Sequence, residues 1–374
     1  MNDPAATQTL AKTPLDALHR RLGARMAPFA GYDMPINFSG GILAEHLRTR
    51  ESAGLFDASH MGQAILAGPG AARALETLVP GDIVGLGVGR TRYTQFLAED
   101  GGVLDDLMAT RLPGRDERLL LIVNASRKAQ DFALLRKALP HHALHVQETR
   151  ALLALQGPRA AEVLTKLLPG VADDPFMSWR AHDFDGAGLW ISRSGYTGED
   201  GFEISLPAAI AESFAETLLA DAAVTPAGLG ARDSLRLEAG LCLYGHELDE
   251  TVDPIEAGLA WSIGERRRRD GGFPGFARIA RALQDGPSRK RVGLAPHGKA
   301  PVRDGAEILN AEGRVIGKVT SGGHSPSLSR PIAMGYVEAA YAQPDAQLST
   351  LLRGAQVALA VTRLPFVPHR YAKP

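Results

Sequence analysis

The alternation of apolar and polar positions divides the chain into short strands and helices that follow one another in an irregular order. Residues 15–22 have helical spacing and end at a glycine, and residues 93–110 predict a hairpin that turns at Gly101-Gly102. Further strands are predicted at residues 119–125, 152–156, 189–193 and 202–206, further helices at 126–139, after Pro158 and at 208–222, and a loop at 31–38. This order favours an α+β fold over a doubly wound parallel sheet.

The pattern changes near residue 265. Residues 265–290 are charged and rich in glycine, and they predict a connector with one short helix. Beyond them, short strands alternate with turns, which predicts a small barrel or sandwich. We therefore divide the chain into a flexible tail (1–14), a region of two α+β subdomains (15–264), the connector (265–290) and a C-terminal β-barrel domain (291–374). No tandem repeat is predicted.

Composition narrows the class of protein. Lys and Arg (41) nearly balance Asp and Glu (42), so no overall field attracts nucleic acid or anionic lipid. The apolar runs are too short to span a membrane, and the N-terminus lacks the apolar segment of a secretory signal. The single cysteine, Cys242, excludes an internal disulfide and fits a reducing compartment. We predict a cytoplasmic location, or the mitochondrial matrix in a eukaryote, with neither nucleic acid nor membrane as partner.

Ionisable groups are concentrated in residues 228–261, where Arg232, Glu238 and His246 lie close to glycines between two apolar patches. That density is typical of a functional site rather than of a scaffold. The eleven histidines show no metal-ligand spacing, so no metal is predicted.

Three carboxylates are predicted within strands. Asp105 and Asp106 are adjacent, so their side chains point to opposite faces and cannot form a dyad. Either the pair ends its strand near water or one of them faces a pocket, and we favour the pocket. Glu203 lies between Phe202 and Ile204 and needs a partner. A fixed carboxylate there suits a ligand edge that carries N–H and NH2 groups.

The basic run at residues 266–269, with residues 289–291, has two interpretations. Charge runs are most often solvated, which is the interpretation expected of a connector. The alternative is a surface that docks an acidic partner, for which a positive run in a chain of net charge −1 is suited.

Several motifs occur together in a characteristic order. They are FDASHMGQ (56–63), GGVLDDLMAT (101–110), LALQGP (153–158), GYTGEDGFEI (195–204), GLGARDSLRLEAGLCLYG (228–245), TSGGHSPSL (320–328) and PFVPHRY (365–371). In this combination the chain, from about Pro14 to its end, closely resembles the T-protein family of the glycine cleavage system.

The resemblance implies three domains around a central channel, and transfer of an aminomethyl carbon from the lipoyl arm of H-protein to tetrahydrofolate. The products would be 5,10-methylenetetrahydrofolate, ammonia and dihydrolipoyl H-protein. Tetrahydrofolate would be a substrate, and lipoylated H-protein the protein partner. By the same resemblance, Asp105 would be the catalytic aspartate and Glu203 would hold the pterin edge. The folate site would be completed by Arg232 and Tyr371, with Tyr93, Met61 and Asn124 as further lining residues.

Two alternatives share this fold. One is a non-catalytic folate-binding factor of iron–sulfur maturation, but residues 241–247 (LCLYGHE) depart from the Lys-Gly-Cys-Tyr-x-Gly-Gln-Glu signature of that class. The other is a folate-dependent demethylase, which would use the same folate site. The sequence Gly-His-Glu-Leu-Asp-Glu at 245–250 favours the T-protein.

Overall fold

The computed structural model describes residues 9–372. The helices are α1 (Asp16–Arg21), α2 (Gly41–Glu51), α3 (Ala71–Leu75), α4 (Lys128–Ala138), α5 (Ala160–Leu167), α6 (Ala208–Leu219), α7 (Leu229–Glu238), α8 (Glu265–Asp270) and α9 (Phe276–Asp285). The strands before the connector are β1 (Arg25–Phe29), β2 (Tyr32–Asn37), β3 (Ala53–Asp57), β4 (Gly62–Ala67), β5 (Thr91–Leu97), β6 (Val103–Arg111), β7 (Arg118–Val123), β8 (Ala143–Val146), β9 (Arg150–Gln156), β10 (Ser178–Phe184), β11 (Ala187–Arg193), β12 (Gly201–Pro207) and β13 (Val224–Pro226). The strands after it are β14 (Arg289–Pro296), β15 (Glu307–Leu309), β16 (Val315–Ser325), β17 (Arg330–Glu338), β18 (Leu348–Leu352) and β19 (Ala355–Thr362).

The predicted α+β class and the C-terminal barrel are confirmed. The last six strands close into a barrel in the order β14-β17-β16-β15-β18-β19. Before the connector, β1 and β2 form a hairpin, and two larger sheets pack against helices. The barrel contacts the rest of the molecule through α7, because Leu237 packs on Ile332 and Met334.

The two larger sheets share one topology. One sheet has the order β5-β6-β7-β4-β8, and the other has β10-β11-β12-β9-β3-β13. The elements of the two units match in chain order: β4, α3, β5, β6, β7, α4 and β8 correspond to β9, α5, β10, β11, β12, α6 and β13. With this correspondence the strand orders of the two sheets agree, except that β3 is inserted in the second sheet. The sequence retains this duplication, although no repeat was predicted from it: residues 68–81 (GPGAARALETLVPG) and 157–170 (GPRAAEVLTKLLPG) are plainly alike.

The glycines that open these two segments explain part of the likeness. Gly68 and Gly157 adopt φ of 142° and 134°, a region that other residues rarely enter. Gly68 directly follows β4 and Gly157 directly follows β9, and each glycine turns the chain into the following helix. The repeat is therefore one strand–turn–helix unit used twice.

Three local predictions differ from the structure. Residues 31–38, predicted as a loop, contain β2, where Pro35 is tolerated because the two-stranded hairpin has free edges. The connector contains two helices, α8 and α9, instead of one. In the predicted tail, residues 1–8 lie outside the described part. Ala11 bridges to Tyr32, and the Thr13 hydroxyl donates to buried Asp57 at 2.6 Å, so the chain is packed from there on.

Candidate functional site

A cavity lies between the two larger sheets. Its lining residues are Thr91, Met108, Thr110, Leu120 and Ile122 from one sheet, and Leu152, Trp190, Ser192, Ser194, Glu203 and Ser205 from the other. Each sheet therefore contributes one wall of the cavity. The chemistry of the cavity depends on how the two walls differ.

The two walls use equivalent positions of the duplicated unit. Ala67 pairs with Arg118, and its counterpart Gln156 pairs with Gly201. Counting along the paired strands then matches four lining pairs: Met108 with Trp190, Thr110 with Ser192, Leu120 with Glu203, and Ile122 with Ser205. The cavity is thus lined by equivalent positions of the two units, and Glu203 is the charged member of an otherwise apolar or weakly polar set.

Asp106 lies on the same face of β6 as Met108 and Thr110, which line the cavity. Its Oδ2 accepts a hydrogen bond from the Tyr93 hydroxyl at 3.0 Å, and its Oδ1 accepts one from Asn124 Nδ2 at 2.7 Å. Burial, and next the negative charge of Asp105, raise the pKa of Asp106 to about 7. A carboxyl with that pKa can accept and release a proton near neutral pH.

Asp105, the predicted catalytic residue, points the other way. It is fully buried on the face of β6 that carries Val103 and Leu107, both of which are core residues. Its oxygens accept the backbone N–H of Asn124 at 3.1 Å and the Asn124 amide at 2.8 Å. The structure therefore places the predicted catalytic residue Asp105 on the core face of β6, away from the cavity. The two side chains do diverge as predicted, but Asp106 is the one on the cavity side.

The predicted Glu203 and Arg232 lie in one charged environment. Glu203 is half-buried, and its Oε2 accepts the Ser194 hydroxyl at 2.6 Å. Arg232, on α7, lies 4.9 Å from the centre of the Tyr196 ring. Within the described part of the chain, its buried Nη1 has no hydrogen-bond partner. Burial lowers the pKa of Arg232, while the charge of Glu203 opposes that shift. A buried donor of this kind is suited to a polar ligand atom.

The remaining predicted residues, Met61, Asn124 and Tyr371, are not among the residues that line the cavity. Gly62 pairs with Val123, so Met61 and Asn124 stand side by side just beyond the paired strands. Tyr371 stacks on Phe176, with ring centres 4.2 Å apart. The next residue, Met177, accepts the backbone N–H of Thr91, a lining residue. The C-terminal segment is therefore connected to the cavity wall indirectly, through residues 176–177.

Sequence reasoning missed three aromatic residues. Trp190 lines the cavity, and Tyr196 lies under Arg232. Trp261 is 64% exposed and stacks on Tyr93, with ring centres 5.6 Å apart. Tyr196 belongs to the GYTGEDGFEI motif, so a signal for it existed, whereas Trp261 lies in a segment with no such pattern.

Most arginines of the basic runs at 266–269 and 289–291 are engaged by their own chain. Arg266 is paired with Glu76 and Asp82, and Arg267 is buried against the carbonyl oxygens of Glu76 and Val79. Arg268 donates to Ile263 and Ala260. Further along, Arg289 pairs with Glu256, and Arg291 donates to Gly240 and Ala257. These arginines bind their own chain, which favours the structural interpretation for them, whereas Arg269 is exposed and pairs with the neighbouring Asp270.

Metal-ligand groupings and membrane-spanning helices are both absent from the described residues. In residues 9–372, no three His, Cys, Asp or Glu side chains are grouped as metal ligands would be. Over the same residues, the helices are all too short or too polar to cross a bilayer.

Comparison with known proteins gives consistent matches over nearly the whole chain. The family model described as the GCVT N-terminal domain matches residues 15–267, and the glycine cleavage T-protein C-terminal barrel domain matches residues 289–368. The aminomethyltransferase, mitochondrial, of Gallus gallus is 46% identical over 98% of this chain and 95% of its own length. The probable aminomethyltransferase, mitochondrial, of Schizosaccharomyces pombe is 43% identical over 99% and 96%. The crystal structure of the glycine cleavage system aminomethyltransferase T from Bartonella henselae superimposes with a TM-score of 0.93. It is 46% identical and covers 98% of this chain and 100% of that one.

Proposed function

The chain belongs to the T-protein family of glycine cleavage aminomethyltransferases, and from that premise we propose how its cavity carries out the transfer. The protein is a tetrahydrofolate-dependent aminomethyltransferase. We propose that lipoylated H-protein delivers the aminomethyl group and that tetrahydrofolate, as substrate, occupies the cavity between the two sheets. The alternatives of an iron–sulfur maturation factor or a demethylase are not favoured, because the relatives that match over nearly full length are named aminomethyltransferases.

The reaction requires controlled movement of two protons. The transferred carbon forms bonds to two folate amine nitrogens, while its bonds to the lipoyl sulfur and to ammonia break. The two amine protons leave on the thiol and on the ammonium ion. A carboxylate beside the amines can accept a proton and stabilise the positive charge that develops during this exchange.

We assign that role to Asp106 instead of Asp105. The observation that carries the assignment is the position of Asp106 on the cavity face, held by hydrogen bonds from Tyr93 and Asn124. Two fixed donors restrict the carboxylate to one orientation, which reduces the cost of positioning during the reaction. The pKa of Asp106, raised to about 7 mainly by burial, supports a base that works at neutral pH.

Glu203, Arg232 and Tyr371 are proposed to bind the folate. Glu203 would accept the N–H and NH2 groups of the pterin edge, since among residues 9–372 the Ser194 hydroxyl is its side-chain donor and a carboxylate has further lone pairs. The unpartnered Nη1 of Arg232 would donate to a ligand oxygen or ring nitrogen. Met61 and Tyr371 would pack on the ring system. A reducing compartment is the proposed location, supported by the single buried Cys242 and by relatives named mitochondrial.

Replacing Asp106 tests this assignment. Asp106→Asn should lower kcat about 10²–10⁴-fold, because the amide cannot accept the proton, while the fold and the folate affinity are retained. The assay uses H-protein loaded with the aminomethyl group, with tetrahydrofolate, and follows ammonia release. Asp285→Asn, an exposed change of the same charge at the end of α9, is the control and should be fully active. An Asp106→Asn enzyme that retains more than about a tenth of wild-type kcat would exclude Asp106 as the base.

A further inference from the structure

A buried carboxyl group lies behind Asp106, and the mechanism above makes no use of it. Asp131 is on α4 and is fully buried. Among residues 9–372, neither of its oxygens receives a hydrogen bond from an N–H or from a hydroxyl group. Helix α4 packs on the face of β6 that carries Asp105, because Phe132 and Leu135 lie in the same core cluster as Leu107. Asp131 therefore faces the buried Asp105 carboxyl group, with which it interacts. A buried carboxylate without a donor is costly, so the position requires a physical explanation.

The contact between Asp131 and Asp105 is stable only if the pair shares a proton. Two carboxylates that touch inside a protein repel each other, and the pair becomes favourable when one is an acid that donates to the other. Burial, and next the contact with Asp105, raise the pKa of Asp131 to about 9, so the proton resides on Asp131 at neutral pH. Asp105 is then the acceptor.

The groups around the pair do not supply a free compensating cation. Arg127, one turn earlier on the chain, is a positive group whose charge acts on Asp131. Its Nε donates to the Leu104 carbonyl at 2.9 Å, and its Nη2 pairs with Glu250 at 2.9 Å. Tyr244 lies against Arg127, with its pKa raised to about 12 mainly by burial, so it remains neutral. The third carboxyl near the pair is Asp106.

Asp105 transmits the arrangement to the cavity through one amide. Asn124 Nδ2 has two hydrogens; it contacts Asp105 Oδ1 at 2.8 Å and Asp106 Oδ1 at 2.7 Å. The Asn124 backbone N–H also donates to Asp105. As a result, the orientation of the Asp106 carboxylate depends on that of Asp105, which in turn depends on the donor behind it.

We propose that Asp131 is a positioning residue for the transfer reaction: as a protonated acid it donates to Asp105 and so fixes the chain Asp105–Asn124–Asp106. The proposal rests on the assignment of Asp106 as the base. It assigns Asp131 no contact with substrate, so its effect is on the rate and its pH dependence and not on folate affinity.

Two substitutions test whether Asp131 acts as a hydrogen-bond donor or only fills space in the core. Asp131→Asn keeps an N–H donor toward Asp105 and should retain kcat within about threefold at neutral pH. Asp131→Leu has the same number and branching of side-chain heavy atoms and no donor. It should lower kcat about tenfold or more with an unchanged KM for tetrahydrofolate, since a hydrogen bond to a charged group is lost. Asp285→Asn again serves as the charge control. If Asp131 has only a packing role, the Asn and Leu enzymes will have equal kcat, and the proposal is overturned.

The pH dependence provides a second readout that needs no turnover. In the unfolded chain Asp131 ionises above about pH 4, whereas in the folded protein it stays protonated until about pH 9. The folded state therefore loses stability as pH rises between these values, and Asp131→Asn removes that loss. The melting temperature of the wild type should fall relative to the Asn variant from pH 5 to pH 9. If the melting temperatures of the wild type and of Asp131→Asn change in parallel with pH, the proposal is overturned, even if the Leu variant does not fold. An active Asp106→Asn enzyme would instead refute only the assignment of Asp106 as the base.

Discussion

Glu203 occupies a wall position whose counterpart in the other sheet is Leu120. A carboxylate at one of two equivalent positions places the charged group of the cavity on one wall, which orients a ligand that has one polar edge. We expect Glu203→Gln to raise the dissociation constant for tetrahydrofolate by about tenfold or more. The amide puts an NH2 group where the ligand also carries donors, and unpaired buried donors cost about 1–3 kcal/mol.

Equilibrium titration of tetrahydrofolate measures this effect. Ser192→Ala changes another polar wall residue, one without a side-chain hydrogen bond in the described protein, and it should leave the dissociation constant within about threefold. A Glu203→Gln protein with wild-type affinity would remove Glu203 from the proposed folate site.

At the residue scale, the sequence predicted that Asp105 and Asp106 point to opposite faces of β6, but not which of the two faces the cavity. Alternation along β6 correctly separated Asp105 from Asp106, because a strand has a period of two. It could not decide which face meets the cavity, since Val103, Leu107, Leu104 and Met108 are all apolar. That choice depends on which side of the sheet carries α3 and α4, and this is a property of the assembled fold.

Helix α8 shows how a charged element can be structural. Its Arg267 is buried, donates to three carbonyl oxygens and lies 5.1 Å from the Phe273 ring centre. Arg269, two residues on, is exposed and contacts only the neighbouring Asp270 among the described residues. The helix is thereby fastened to residues 76–79 through one face, and its other face is open to solvent.

The two arginines should therefore differ sharply in their effect on stability. We expect Arg267→Gln to lower the free energy of unfolding by about 2–4 kcal/mol, because several buried acceptors lose their donor. Arg269→Gln, the matched control, should change it by less than about 0.5 kcal/mol. Urea denaturation measures both. Equal effects would show that the helix is not fastened through Arg267.

Element positions were largely predictable, and the exceptions have physical reasons. The hairpin, the helices at 126–139 and 208–222 and the barrel strands follow directly from periodicity. Strand β2 was missed because Pro35 usually breaks a sheet, yet a two-stranded hairpin leaves its outer edges without partners. The sequence predicted one helix in the connector instead of two, because a run of four arginines is typical of a solvated segment, although arginine also has a high helix propensity.

At the scale of the whole molecule, the barrel is tied to the rest by the buried Glu238 carboxylate. Glu238 ends α7 and accepts hydrogen bonds from His46 at 3.1 Å and from Arg50 at 2.9 Å, both on α2. From the barrel side it accepts the hydroxyls of Ser325 at 2.5 Å and Ser327 at 2.7 Å. Burial acts to raise the pKa of Glu238, but these donors outweigh it and lower the pKa to about 2.

This network predicts acid sensitivity. Because the folded pKa lies below the unfolded value, the stabilisation is fully present above about pH 4.5 and is lost as pH falls toward 2. The shift corresponds to roughly 3 kcal/mol. The melting temperature of the wild type should drop more steeply between pH 6 and pH 3 than that of Glu238→Gln. If the two curves run parallel over this range, the network does not couple barrel attachment to protonation.

The duplication was the largest feature that sequence reasoning missed. Its traces, Gly-Pro, Ala-Ala and Pro-Gly at matching positions of residues 68–81 and 157–170, are short, and the rest of the two halves has diverged. Shared topology survives such divergence because strand pairing and apolar packing tolerate many sequences. The site was thus recognisable from motifs, whereas its placement between two equivalent sheets was not.

The positions of the aromatic residues have an optical consequence. The chain has three tryptophans. Trp179 packs with Leu120 behind one wall, Trp190 lines the cavity, and Trp261 stacks on the Tyr93 ring whose hydroxyl binds Asp106. All the indole chromophores therefore surround the site and none lies in the barrel, so the intrinsic fluorescence of the unlabelled protein reports on events in the cavity and is nearly silent to changes at the distal end.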